Sequence, residues 1–267
     1  MRRAFLGFLI AVLFTVQAAA QELRFRSILE IPYDRTKAQT SIVNGTKPAD
    51  PADWTSTFFY VRPQSTTICS STLVGSKALL TAAHCIANGA TIRIGVAGVA
   101  YDAVCTHAPE FSSNTTVDLA ACLLSSEVRD ARVQYETVGL DQSQLKTGVT
   151  LLMTGFGCTS LAGGGQREFR TGDAPVVRLP SDDKFDMELQ GQVALCFGDS
   201  GGGTFLKLDS EGKRRVQLSV NSHSNIRDTS TFASLGTAPA ANFLRSWSAQ
   251  NGLRVCGVHP DANGCRR

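Results

Sequence analysis

Two short runs, Thr81-Ala82-Ala83-His84-Cys85 and Gly198-Asp199-Ser200-Gly201-Gly202, must meet in space if either is to carry chemistry. A serine hydroxyl is a poor nucleophile at neutral pH and needs a positioned base. His84 could supply that base, yet it lies 116 residues before Ser200, so the fold must be rich in long-range contacts. Between them, Val117-Asp118-Leu119-Ala120 offers a carboxylate to orient the imidazole, giving the chain order His, Asp, Ser. Singly, each has a plainer explanation: a turn serine among glycines, a satisfied core histidine, a loop acid. Together, in this order and with these flanks, they point to a nucleophile–base–orienter triad.

The rest of the chain has a β texture. Short apolar or β-branched runs, bounded by Gly, Asn, Ser and Pro, predict strands at 58–61, 72–74, 78–80, 91–94, 134–138, 149–153, 193–195 and 216–220. Helical periodicity is confined to 239–250, where Ala241, Leu244 and Trp247-Ser248 recur three to four apart before Asn251-Gly252. Many short strands and one late helix imply an all-β barrel or sandwich. With 267 residues, 43% of them hydrophobic, the chain can bury a substantial core in one large domain or two small ones. The net charge of +3 comes from mixed acids and bases without a basic run, which argues against a nucleic-acid partner.

Residues 1–20 read as a secretory signal. Arg2 and Arg3 precede a short apolar stretch from Phe5 to Val16, and Ala18-Ala19-Ala20 offers a cleavage site. That stretch falls short of the roughly 20 residues a membrane-spanning helix needs. Residues 21–41, polar and without periodicity, read as a short pro-segment. All eight cysteines lie beyond the signal, which fits an oxidising compartment and permits four disulfides without fixing their pairing. No zinc-type cysteine spacing is present, the four histidines are scattered, and the loop after Arg93 lacks carboxylates for calcium, so no metal or other cofactor is expected.

From Ile42 to about Asn251 the chain resembles the chymotrypsin/trypsin-like serine proteases. The resemblance implies two six-stranded antiparallel β-barrels, about 42–139 and 145–234, with the active site in the cleft between them. A C-terminal helix and a disulfide-closed tail, 251–267, would follow. It makes Ser200 the nucleophile, His84 the general base and Asp118 its orienter, with Gly198 and Ser200 donating backbone N–H groups to the oxyanion. Losing one such donor typically costs about 3 kcal/mol of transition-state stabilisation. Ile42-Val43-Asn44-Gly45 resembles the family's mature N-terminus, whose new amine would pair with Asp199 after cleavage. Arg or Lys usually precedes that cut, whereas Thr40-Ser41 stand here, which points away from trypsin-like autoactivation.

The residue six before the nucleophile, at the base of the family's specificity pocket, is Ala194. Without a carboxylate there, Arg or Lys in the substrate has no partner, and a small or apolar residue fits better. Ser224 and Ser230 are the candidate pocket walls, and His223 stands where the family usually has Trp. The family's most regular bridge would be Cys69–Cys85. Cys196 lacks its usual partner beyond Ser222, which favours Cys158–Cys196, since Cys158 follows the Gly155-Phe156-Gly157 turn beside the oxyanion loop. Cys105–Cys122 and Cys256–Cys265 complete the set, other pairings of these six remaining open. Asn44-Gly45-Thr46 and Asn114-Thr115-Thr116 are glycosylation sequons.

The expected protein is therefore a secreted (extracellular or periplasmic) serine endopeptidase. It acts as a monomer on protein or peptide substrates, is activated by another protease, and is free of the membrane once the signal is removed. Two rivals stand beside it: a catalytically silent secreted binding protein on the same fold, and a hydrolase of small esters.

Overall fold

The computed structural model describes residues 42–47, 50–159 and 167–266. The signal and the whole pro-segment, 1–41, lie outside them. The architecture is two six-stranded antiparallel barrels and one C-terminal helix. In the first, β1 (Thr57–Val61), β2 (Ile68–Gly75), β3 (Ala78–Thr81), β4 (Thr91–Val96), β5 (Val99–His107) and β6 (Ala120–Leu124) run in the order β1-β2-β3-β6-β5-β4. The end strands β1 and β4 lie against each other. In the second, β7 (Thr150–Gly155), β8 (Arg170–Arg178), β9 (Asp186–Gln190), β10 (Gly203–Lys207), β11 (Arg215–Ser224) and β12 (Thr229–Ser234) close in the order β10-β11-β12-β9-β8-β7.

Strands β1, β2 and β3 are buried along their whole length. One face fills the barrel and the other is covered by neighbouring structure, so Thr57, Ser70, Ser71 and Thr72 are as buried as Leu73 and Val74. The closing helix α1 (Ala238–Gln250) carries Pro239 in its first turn, where amides lack intrahelical partners. It buries Ala240, Ala241, Phe243, Leu244 and Trp247.

Two expected strands are absent. Residues 134–138 form isolated contacts, with Tyr135 bridging Cys265 and Val138 bridging Gln217. Their amides go one at a time to different partners: Tyr135 to Gly264, Glu136 to Leu73 and Val138 to Cys256. This segment threads between elements and has no single strand to pair with. Residues 193–195 likewise make one bridge, Ala194 to Val43.

A buried ion cluster fastens the tail. Glu136 accepts from Arg215 Nη2 at 2.5 Å and from Arg266 Nε at 3.2 Å, and both arginines also donate to the Asp53 carbonyl. Ser56 Oγ donates to the same carboxylate at 2.7 Å, and the Arg215 guanidinium stacks 3.5 Å over Trp54. Removing one partner from such a cluster leaves a buried charge uncompensated, at a cost of about 3–5 kcal/mol.

Candidate active site

His84 sits in the 3-10 turn Ala83–Cys85 directly after β3, and Asp118 lies in the loop before β6. Both belong to the first barrel. Asp118 Oδ2 is 2.6 Å from His84 Nδ1, and Asp118 Oδ1 accepts from the His84 backbone amide at 2.9 Å. With the carboxylate ionised, the proton resides on Nδ1 and Nε2 is left as an acceptor. Burial pushes the Asp118 carboxyl up, but the ring, the positive charge of protonated His84, Ser222 and the His84 amide together hold it below the usual value. The His84 turn is braced from outside by Arg62, whose Nε donates to the Cys85 carbonyl at 2.9 Å and Nη2 to the His84 carbonyl at 3.2 Å.

Ser200 belongs to the loop that feeds β10 in the second barrel, and cross-barrel bonds bring it alongside His84. Ser70 N donates to Ser200 O at 2.7 Å, and Ser70 Oγ donates to Gly198 O at 2.8 Å. The Cys69–Cys85 disulfide ties the neighbour of Ser70 to the neighbour of His84. Glycine is required at 201. The backbone there has φ +87°, and a Cβ would come within 2.2 Å of Ser70 O and Thr81 Oγ1. The Ser200 hydroxyl itself donates to Ser222 O at 3.1 Å, and no hydrogen bond joins it to His84. Nucleophile–base contacts of this kind are often loose without substrate.

Neither the Gly198 nor the Ser200 N–H has an acceptor among the described residues. Gly198 lies at φ +106°, a region side chains avoid, and a Cβ would sit 2.8 Å from Ile68 Cγ1. Two unpaired amides two residues apart, one of them the serine's own, are the arrangement an oxyanion needs.

Asp199 points the other way, into the protein, and is fully buried. Its oxygens accept from Gly157 N and Cys196 N, each at 2.7 Å, and it has no cationic partner among the described residues. Burial pushes its pKa up to about 7, against the pull of those two amides. The space is tight enough that a Cβ on Gly155 would approach Asp199 Oδ1 to 2.1 Å. Ile42 is also fully buried, packed beside Gly172 in the second barrel's core, while Val43 pairs with Ala194. Because the chain continues before Ile42, its nitrogen is an amide here and carries no charge for Asp199.

The expected pocket residues also converge. Ser224 and Ser230 face each other in register on β11 and β12. Ser230 Oγ accepts from Leu195 N at 2.9 Å and reaches Ser224 Oγ at 3.4 Å, while Ser224 Oγ donates to Thr229 O at 2.9 Å. Ala194 lies buried next to Leu195, and Phe197 is 68% exposed beside Gly198.

No sequence motif marks Ser222, yet its hydroxyl donates to Asp118 Oδ2 at 2.6 Å and its carbonyl receives Ser200. Its one proton is thereby used, so the 3.1 Å contact with His223 Nδ1 requires that imidazole to be the donor. Ser70, Arg62 and Ser222 act through partners far away in the chain, and no local motif marks them. The bridges Cys69–Cys85, Cys105–Cys122, Cys158–Cys196 and Cys256–Cys265 are all formed, with no free cysteine among the described residues. Cys105 and Cys122 are directly opposite on β5 and β6.

Geometry of this kind coincides with a sequence match: the Trypsin family model covers residues 42–231. The chain belongs to the trypsin family. The matched span of this trypsin-family domain takes in both barrels up to β12 and every residue of the His84–Asp118–Ser200 set. No curated protein matches the chain. The family and the four disulfides are consistent with a secreted or extracellular protein.

Proposed function

We propose that the protein is a secreted serine endopeptidase. Ser200 Oγ attacks the scissile carbonyl carbon as His84 Nε2 takes its proton, and Asp118 stabilises the imidazolium that results. The tetrahedral oxyanion receives the Gly198 and Ser200 amides. Collapse breaks the C–N bond, and His84 returns the proton to the leaving amine. The acyl group stays on Ser200 until water, deprotonated by the same imidazole, releases it. The observation that carries this reading is one cluster holding a hydrogen-bonded Asp118–His84 pair, a serine beside it and the Gly198 and Ser200 amides without acceptors among the described residues.

Activation follows from Asp199. Cleavage before Ile42 would turn a neutral amide into an ammonium, which the family resemblance would bring to the buried Asp199 carboxylate. It would also release this β-branched residue from a φ of +56°, which such residues rarely adopt. Such a cut biases a loop between two arrangements. Thr40-Ser41 supply no basic residue, so the cut is not one for a protease of trypsin-like Arg or Lys preference. Facing serines over Ala194, with no charge among them, suit a substrate with a small or apolar residue before the scissile bond.

The second reading, a silent binding protein, is favoured by one observation: Ser200 Oγ bonds to Ser222 O rather than to His84. A fluorophosphonate label on the purified protein decides between them, with Ser200→Ala alongside and the N-terminus mapped by mass spectrometry. The expected result is label on Ser200 in chains beginning at Ile42 and none on Ser200→Ala. Unlabelled wild-type chains that do begin at Ile42 would refute the enzyme reading in favour of the binding protein.

A further inference from the structure

The two segments that converge on Asp199 are also joined covalently. Gly157 and Cys196 supply the amides on its carboxylate, and Cys158, the neighbour of Gly157, is bonded to Cys196. Cys158 N donates to Phe197 O at 2.9 Å, so the same two segments meet again one residue closer to Gly198. Both sulfurs are buried with their residues. Together the disulfide and these three hydrogen bonds enclose Asp199 between the Gly155–Cys158 turn and the loop that ends in Ser200.

Gly198 packs against that turn. A Cβ on it would lie 2.9 Å from Gly157 Cα, which shows how little room its peptide has to rotate while the turn stays in place. If the turn drew away, the Gly198 peptide would be free to swing and its N–H to find another acceptor. A fully buried carboxyl pushes in that direction, because hydration favours exposure of its charged form. The hydrogen bonds opposing it are individually weak, whereas a disulfide across the gap is not.

We infer that the Cys158–Cys196 disulfide is a positioning element for the oxyanion donors. It clamps the Gly155–Cys158 turn to the Cys196–Ser200 loop, and so keeps the Gly198 and Ser200 amides unpaired and available to a tetrahedral intermediate. Of the other bridges, Cys69–Cys85 flanks Ser70 and His84 and meets this loop from the first barrel, Cys105–Cys122 joins β5 to β6, and Cys256–Cys265 closes the tail. This inference rests on the serine-protease reading above.

The test compares Cys158→Ala/Cys196→Ala with Cys256→Ala/Cys265→Ala, each in the full chain cut before Ile42 and each checked for folding by circular dichroism. The readout is fluorophosphonate labelling of Ser200, resolved into a binding constant and a maximal rate. Removing the clamp is expected to slow the maximal rate on the order of tenfold or more with little change in binding, the loss typical of a displaced oxyanion donor. The downfield proton of the His84–Asp118 hydrogen bond should persist in that variant. Removing the tail bridge should lower the melting temperature and leave the maximal rate within about twofold, because that bridge touches no oxyanion donor. Equal labelling in the folded clamp variant, or equal slowing in both variants, would overturn the inference. Failure of both Cys158→Ala/Cys196→Ala and Cys158→Val/Cys196→Ala to fold would overturn it too, by making the bridge a requirement of the whole fold. Absence of label on wild-type Ser200 would overturn the serine-protease reading along with it.

Discussion

The two halves of the site differ in how fully their electrostatics are satisfied. On the first barrel, Asp118 receives the His84 ring, the His84 amide and the Ser222 hydroxyl, and its carboxyl is held below the usual range. On the second, Asp199 receives two amides and, among the described residues, no cation, and its pKa is pushed up to about 7. The contrast separates two parts of the proposed chemistry: His84 and its orienter are already paired, while the carboxylate beside the nucleophile has only neutral partners among the described residues.

The largest effect should come from disturbing the satisfied half. Asp118→Asn keeps the shape but leaves an amide that favours the wrong imidazole tautomer, and a loss on the order of 10⁴-fold in kcat is expected. Steady-state turnover of a peptide substrate checks it; a loss of less than about tenfold would mean that the pair does not act as base and orienter.

The unsatisfied half is tested by pH. A carboxyl with a raised folded pKa contributes stability that is fully present below its unfolded value, near 4, and lost as pH rises through the folded value, about 7. Within that window the uncut chain should lose about 1.4 kcal/mol of stability per pH unit from this group. In the chain cut before Ile42, the ammonium should remove most of that slope. Denaturant midpoints of both forms from pH 4 to 8 measure the difference, and parallel curves would show that the two carboxylates are not distinguished by a missing cation.

A smaller effect sharpens the comparison from the first side. Ser222→Ala removes one of three donors to Asp118, so its carboxyl should titrate higher and the acid limb of kcat/KM should move up in pH. The accompanying loss at neutral pH should be about tenfold or less, as one hydrogen bond to a charged group among several allows. An unchanged pH profile would remove Ser222 from the network.

Half of the strands were legible as runs and half were not. β1, β3, β4, β7 and β11 present compact Val, Leu, Ile, Phe or Tyr stretches, and the core of β2 does the same. By contrast β8 contains Gly172, Asp173 and Pro175, β12 is mostly Ser and Thr, and β9 alternates charge with Met187 and Leu189. Those strands exist because closed neighbours pair them on both sides, a reason no local window contains. The reverse error at 134–138 has the same origin: a β-prone run with no strand beside it remains a connector.

By itself, the sequence determined the identities that chemistry cannot replace. The order His84, Asp118, Ser200, the glycines at 198 and 201, and an even set of cysteines are all properties of residue type. Tertiary structure alone decided how those groups are served. Ser70 holds the serine loop, Arg62 braces the histidine turn, Ser222 joins Asp118, and Arg266 returns to Glu136 from 130 positions away. Those roles arise from contacts between residues distant in the chain, and such contacts are fixed by the closure of two barrels against each other. A nucleophile can be recognised from its neighbours in sequence, but its charge environment is set by its neighbours in space.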